Sequence, residues 1–239
     1  MKFKTKPFTP PEDIPAKVVN IFSGQFKKPL THVLNACLKR GEWPNIWKVE
    51  AITPVPKTFP PKALDKLRPI SGLKIFNKIA EKIFSSIIIK DLKDKIDPSQ
   101  FGNQKGLSIE HYLVKMIHKI LMSLDNNSKG EIFAVIASLV DWKQAFNRQD
   151  ATLGIQSFMD NGVIPAMIPM LINYFQGRQG FVKWKGLHSE TKPITGGGPQ
   201  GGFYGILEFL SQSNHNADMA DPEERFKFVD DLTLLELSI

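Results

Sequence analysis

The stretch from Ile132 to Val140 is apolar at every position except Ser138, and it is enclosed by Glu131 and Asp141. A run of this kind has the signature of a β-strand buried on both faces. It is too short to cross a bilayer, so it implies a sheet inside a globular unit, with a carboxylate, Asp141, at the strand's end. The first half of the chain has a different period. From Leu73 to about Lys95, apolar residues recur at Ile75, Ile79, Ile83, Phe84, Ile87 and Ile88, with lysines on the other face, which predicts a helix.

Further helices are expected over about 16–26, over Thr31 to Lys39 with Gly41 as the stop, and over Ser108 to Leu124. Prolines at 10, 11 and 15 mark a turn-rich lead-in, and those at 54, 56, 60, 61 and 69 forbid a long helix there. Ala51 to Lys57 reads instead as a short strand. Asp150 is placed to cap a helix that ends near Asp160 at Gly162, and Pro165 to Gln176 reads as the next, closed by Gly177. Phe181–Trp184 and a partner near Lys192–Thr195 suggest a hairpin. Gly196–Gly202 leads into a helix over about 204–213. Phe226–Val229 and Leu232–Leu235 read as two strands joined by a tight turn at Asp230-Asp231.

The 239 residues carry 31 Lys and Arg against 24 Asp and Glu, and the charge is unevenly divided. Met1–Ile120 holds 22 basic and 10 acidic residues, a net of +12; Leu121–Ile239 holds 9 and 14, a net of −5. The basic half suits contact with a polyanion, and the acidic half suits a task that needs carboxylates. One cysteine, Cys37, excludes an internal disulfide and a multi-cysteine zinc site, which points to an intracellular protein. Met1–Phe8 has no apolar core of a signal peptide. The histidines show no metal-ligand spacing. Neither G-x-S-x-G nor the Gly-Lys-Ser/Thr of a P-loop is present.

Three carboxylates, Asp141, Asp230 and Asp231, fall at the ends of apolar strands. If those strands are neighbours the three acids converge, and their repulsion calls for a cation. An all-oxygen set favours a hard ion such as Mg²⁺. Asp-Asp by itself is also an ordinary turn sequence.

The order of the surrounding motifs bears on that choice. Asp141-Trp142-Lys143-Gln144-Ala145-Phe146, then Gly197-Gly198-Pro199-Gln200-Gly201, then Phe228-Val229-Asp230-Asp231 resemble the three catalytic palm motifs of the reverse transcriptase domain of non-LTR, LINE-type retrotransposons. Upstream, Ile52–Lys57, Leu67–Ser71 and Gln100-Phe101-Gly102 with Lys105, Gly106 and Ser108 resemble the fingers motifs that precede them.

The resemblance implies an α+β right-hand polymerase: a helical lead-in over 1–50, basic fingers over 51–130, and a partial palm over 131–239, an antiparallel sheet backed by helices. The thumb would be absent, since the chain stops shortly after Asp231, and the whole would be a fragment. It implies that Asp141, Asp230 and Asp231 are the catalytic, metal-binding triad for two Mg²⁺ ions, with Mn²⁺ possible. Phe146 would be the gate under the nucleotide sugar; without the flanking motif it reads as a core aromatic. Gly198, Pro199, Gln200 and Gly201 would lie against template or nucleotide, and Lys57 and Arg68 would contact the triphosphate. The implied partners are an RNA template, a DNA primer and dNTPs, with no membrane. An RNA-dependent RNA polymerase and a catalytically inactive nucleic-acid-binding remnant are the alternatives. Asn147, where many relatives have aspartate, and Gly202, where they have serine or threonine, depart from the family pattern.

Overall fold

The computed structural model describes residues 13–61, 63–125 and 134–238. The lead-in prolines at 10 and 11, and residues 132 and 133 of the apolar run, lie outside them. In chain order the elements are α1 (Ala16–Ile21), α2 (Ser23–Arg40), β1 (Val49–Pro56), β2 (Leu67–Gly72), α3 (Ile75–Leu92), α4 (Ile109–Asp125), β3 (Ala134–Asp141), α5 (Ala151–Asp160), α6 (Ile168–Phe175), β4 (Gln179–Trp184), β5 (Leu187–His188), β6 (Lys192–Pro193), α7 (Phe203–Gln212), β7 (Arg225–Phe228) and β8 (Asp231–Ser238). They form two compact units of mixed α and β structure. The first comprises the described residues of Met1–Lys93 with Phe146–Glu208, the second those of Asp94–Ala145 with Phe209–Ile239.

In the first unit the strand order is β2-β1-β4-β5, with β6 also beside β4. β1 and β2 pair antiparallel from Ala51↔Gly72 to Pro56↔Leu67, whereas β1 and β4 pair in parallel only over Val49–Ile52. Beyond Ile52, β1 therefore has a named strand on one side only, and Pro54 and Pro56 fall in that stretch, where a strand edge tolerates proline. The strand expected at 181–184 forms within β4, but its hairpin partner is Leu187–His188, and Lys192–Pro193 pairs with Gln179 and Gly180 at the start of β4. Asp150 caps α5 by accepting from the backbone N–H groups of Thr152 and Leu153, which hold its carboxyl below the ordinary range. Gly41 ends α2 in a left-handed conformation, its N–H reaching the Cys37 carbonyl.

The two helices expected at 16–26 and 31–39 break elsewhere. The interruption falls at Phe22, and α2 runs on through Pro29. Burial outweighs the lost hydrogen bond, because Phe26 and Leu30 pack against Ile75, Ile79 and Phe76 of α3, with the Phe26 and Phe76 rings 5.3 Å apart.

The core of this unit is aromatic. Trp43 packs on Trp47, Phe84, Tyr174 and Tyr204, and the Tyr174 and Tyr204 rings meet edge-on at 4.7 Å. A polar chain threads it. Trp43 Nε1 donates to Asn77 Oδ1, the Asn77 amide donates to Glu81 Oε1, and the Tyr174 hydroxyl donates to the same oxygen at 2.6 Å. Beside it Arg178 lies over the Tyr174 ring and donates to Glu50 at 2.9 Å, with both charges buried.

The second unit is built on the antiparallel sheet β3-β8-β7. One face carries Phe226 and Leu235, which pack with Phe101 and with Tyr112 of α4; the Tyr112 hydroxyl bonds Thr233 Oγ1 at 2.6 Å. Asp97 binds Lys227 and Arg225 of β7. Burial alone would raise the Asp97 carboxyl, but hydrogen bonds from Lys227, Ser99 and Arg225 more than offset it and hold it below the usual range.

The expectation that the apolar run is buried on both faces is corrected. β3 is an edge of this sheet, with β8 as its only strand neighbour among the described residues, and Ile136 and Leu139 are 48% and 80% exposed. Apolar composition specified the strand, but a strand with one neighbour keeps much of its surface in solvent.

Replacing Arg178 by Met strands the Glu50 carboxylate in the core. Arg178→Met is expected to cost about 3–5 kcal/mol in urea unfolding, and Glu50→Gln in the same chain is expected to recover much of that loss.

Candidate active site

The register of the second unit's sheet places the acids. β3 and β8 pair from Ala134↔Ser238 through Asp141↔Asp231, and β7 pairs with β8 up to Phe228↔Asp231. Asp141 and Asp231 are thus direct cross-strand partners, a relation that sets their β-carbons about 4.5–5.5 Å apart. The turn itself is Val229-Asp230, not Asp230-Asp231 as the sequence suggests, because Asp231 already belongs to the β8 ladder. Val229 adopts φ 60°, a conformation that costs a β-branched residue and that two-residue hairpins require to match strand twist.

Burial, then the charges of Asp230 and Asp141, raise the Asp231 carboxyl above its ordinary range. These carboxylates offer the oxygen donors that a hard divalent cation takes. As they stand, no three His, Cys, Asp or Glu side chains among the described residues are gathered closely enough to hold an ion. The fit lies in the donor chemistry and in the Asp141/Asp231 pairing.

The remaining candidates are in the first unit. Phe146 is half-buried in a short 3₁₀ turn, Ala145–Arg148. That segment anchors the glycine loop: Gly198 N–H donates to the Phe146 carbonyl and Gly197 N–H to that of Gln149, each at 3.0 Å. Gln200 is held at both ends. Its side-chain amide donates to Asn147 Oδ1 at 2.6 Å, and its carbonyl accepts from Ser71 N–H of β2 at 2.7 Å. Arg68 on β2 and Lys57 just beyond β1 are exposed and make no ion pair among the described residues.

The departures at 147 and 202 have local reasons. Asn147 supplies the acceptor for Gln200. At 202 a β-carbon would lie 2.7 Å from Glu81 Oε2, the same oxygen that accepts from Phe203 N–H at the start of α7. Glycine is therefore the residue that lets a buried acid reach this helix terminus. Burial raises the Glu81 carboxyl, against lowering hydrogen bonds from Tyr174, Phe203 and Asn77.

Glu208 lies on α7 and is 1% exposed. Its carboxyl and the Gln149 side chain face the α-carbon of Gly198. Burial, with the Asp150 charge adding to it and Arg178 opposing, pushes Glu208 up to about 8. Glu81 and Glu208 were missed because a lone acid on a helix reads as solvated. The one signal was that Asn77 and Glu81 fall on one helical stripe with Phe84 and Ile88, at i, i+4, i+7 and i+11.

With this geometry in view, comparison with known proteins is informative. No family model matches the chain. It is 27% identical over 195 residues to the RNA-directed DNA polymerase from mobile element jockey of Drosophila melanogaster, covering 79% of this chain and 20% of that one. It is 25% identical over 197 residues to the probable RNA-directed DNA polymerase from transposon X-element of the same organism, covering 81% and 21%. The chain spans about a fifth of the length of these relatives. Among solved structures, apo telomerase from Candida tropicalis, truncated from its C-terminal domain, superposes with a TM-score of 0.54 at 12% identity, over 95% of this chain and 51% of that one. Telomerase from Candida albicans in complex with a fragment of telomeric RNA gives 0.51 at 13%, over 81% and 39%. The fold resembles that of these telomerase structures. In sequence the chain is a relative of the RNA-directed DNA polymerases of non-LTR mobile elements.

The raised Glu208 carboxyl sets a pH dependence. Its folded value lies above the unfolded one, so between about 4.5 and about 8 the folded chain holds a proton that the unfolded chain has lost, and stability falls as pH rises through that window. Glu208→Gln is expected to flatten the slope: thermal melts should coincide with the parent's near pH 4.5 and lie several degrees above it at pH 8.

Proposed function

We propose that this chain is the nucleotide-adding part of an RNA-directed DNA polymerase, with residues 51–130 contributing fingers and the β3-β8-β7 sheet the palm. The observation that carries the reading is the cross-strand pairing of Asp141 with Asp231 beside the Asp230 turn, in a chain whose motif order matches such polymerases. Asp141, Asp230 and Asp231 would hold two Mg²⁺ ions, or Mn²⁺. Bound there, the ions supply the charge that activates a primer 3′-hydroxyl and stabilises the leaving pyrophosphate.

The chain's own residues do the rest. Phe146 sits under the sugar of the incoming dNTP and leaves no room for a 2′-hydroxyl. The loop Gly198-Pro199-Gln200-Gly201 brings backbone close to template or nucleotide. Gln200, fixed by Asn147 and Ser71, presents a settled edge there instead of a freely rotating amide. Arg68 and Lys57 meet the triphosphate, arginine through paired donors and lysine as a point charge. The exposed lysines of 51–120 suit the phosphates of an RNA template and DNA primer. No helix among the described residues is long and apolar enough to cross a membrane.

The test is incorporation of dTMP on poly(rA)/oligo(dT) with Mg²⁺ or Mn²⁺. Extension is expected for the unsubstituted chain and a loss of at least about a thousandfold for Asp230→Asn. No incorporation, or equal incorporation by both, contradicts the reading. Phe146→Val is expected to admit ribonucleotides while keeping dTMP incorporation; unchanged sugar selectivity returns Phe146 to a packing role.

A further inference from the structure

Gln100 is 3% exposed, and its side-chain amide is committed to the turn that carries Asp230. Oε1 accepts from Val229 N–H and from Gly102 N–H, each at 2.9 Å, and Nε2 donates toward the Val229 carbonyl at 3.4 Å. The backbone on either side is joined to β7: Phe101 N–H donates to the Lys227 carbonyl and Lys227 N–H to that of Ser99, each at 2.8 Å. Gly102 completes the clamp, since a β-carbon at that position would overlap the backbone nitrogen of Val229.

The clamped turn is one that needs holding. Val229 has φ 60°, and a β-branched residue leaves that region unless its surroundings enforce it. Asp230 follows it directly, and Asp231 opens the strand that faces Asp141.

We infer that Gln100 is a positioning residue: it holds Val229 in its left-handed conformation and thereby fixes Asp230 in the turn and Asp231 at the strand position opposite Asp141. Oε1 saturates two backbone donors at once, and the close approach of Gly102 leaves the turn no space to relax. The consequence for metal binding rests on the reading of the three aspartates as ligands; the consequence for the turn does not.

Two measurements on the intact chain test this. The first is hydrogen exchange at the Val229 amide without metal. Slow exchange is expected in the parent and in Gln100→Glu, which keeps the acceptor, and faster exchange by about tenfold or more in Gln100→Met, which does not. An unprotected Val229 amide in the parent, or equal protection in Gln100→Met, overturns the inference.

The second is Mn²⁺ affinity by titration. Gln100→Met is expected to bind about tenfold or more weakly. Val229→Gly removes the backbone strain, so the clamp becomes dispensable, and Gln100→Met with Val229→Gly is expected to return to within about threefold of the parent. A double variant as weak as Gln100→Met contradicts action through the turn. Asp230→Asn separates the two readings: if it binds Mn²⁺ like the parent, the metal assignment falls, while the exchange result still decides the role of Gln100.

Discussion

The register of β3 against β8 is the constraint on which the candidate site depends. Side chains alternate between sheet faces, so a slip of one residue would turn Asp231 away from the face that Asp141 shares and would remove Thr233 from its bond with Tyr112. Val135 of β3 packs on the same cluster as Leu235 of β8, and β7 and β8 are held by burial and by polar contacts together. Phe226 and Leu235 must pack on Tyr112 and Phe101, while Lys227 and Arg225 must meet Asp97. These contacts set two carboxylates opposite one another with a third beside them, an arrangement that is electrostatically unfavourable by itself. Burial and the neighbouring charges raise Asp231 accordingly. The fold supplies the stability that keeps this repulsive group together, which is the usual relation between a scaffold and its functional residues.

The first unit shows the same economy in another form. Its glycine loop is held by backbone bonds to Phe146 and Gln149 and by Ser71 at the Gln200 carbonyl. Two buried acids, Glu81 and Glu208, lie close to it where glycines 202 and 198 leave room. The aromatic core around Trp43 and Tyr174 orders Glu81 through hydrogen bonds, so the precision of the loop derives from packing well inside the unit.

Much of this was legible in the residues. Asp150 as a cap, Gly41 and Gly177 as stops, the paired strands around Asp230 and the helix after the glycine loop all follow from local chemistry that acts within a few residues. What was not legible depended on contacts distant in sequence. β3 reads as buried because composition records apolarity and not the number of neighbouring strands. The turn falls one residue earlier than Asp230-Asp231 because the ladder extends to Phe228↔Asp231 and forces Val229 into the left-handed region. The break at Phe22 in place of Pro29 depends on Phe76, on another helix. The role of Gln100 needed the position of a backbone amide at 229. Motif order supplied the family resemblance, and pairing supplied the geometry.

A divalent cation is expected to relieve the repulsion among Asp141, Asp230 and Asp231. The most direct measurement is the thermal midpoint of the chain and of Asp230→Asn as Mg²⁺ is added at constant ionic strength. A ligand at free concentration c that binds only the folded state stabilises it by RT ln(1 + c/Kd), so the midpoint keeps climbing with the logarithm of ligand concentration above Kd. The parent's midpoint is expected to climb with Mg²⁺, and that of Asp230→Asn to begin higher, relieved of one repulsive charge, and to remain nearly level. Equal responses of the two proteins to Mg²⁺, or no response in the parent, would contradict it.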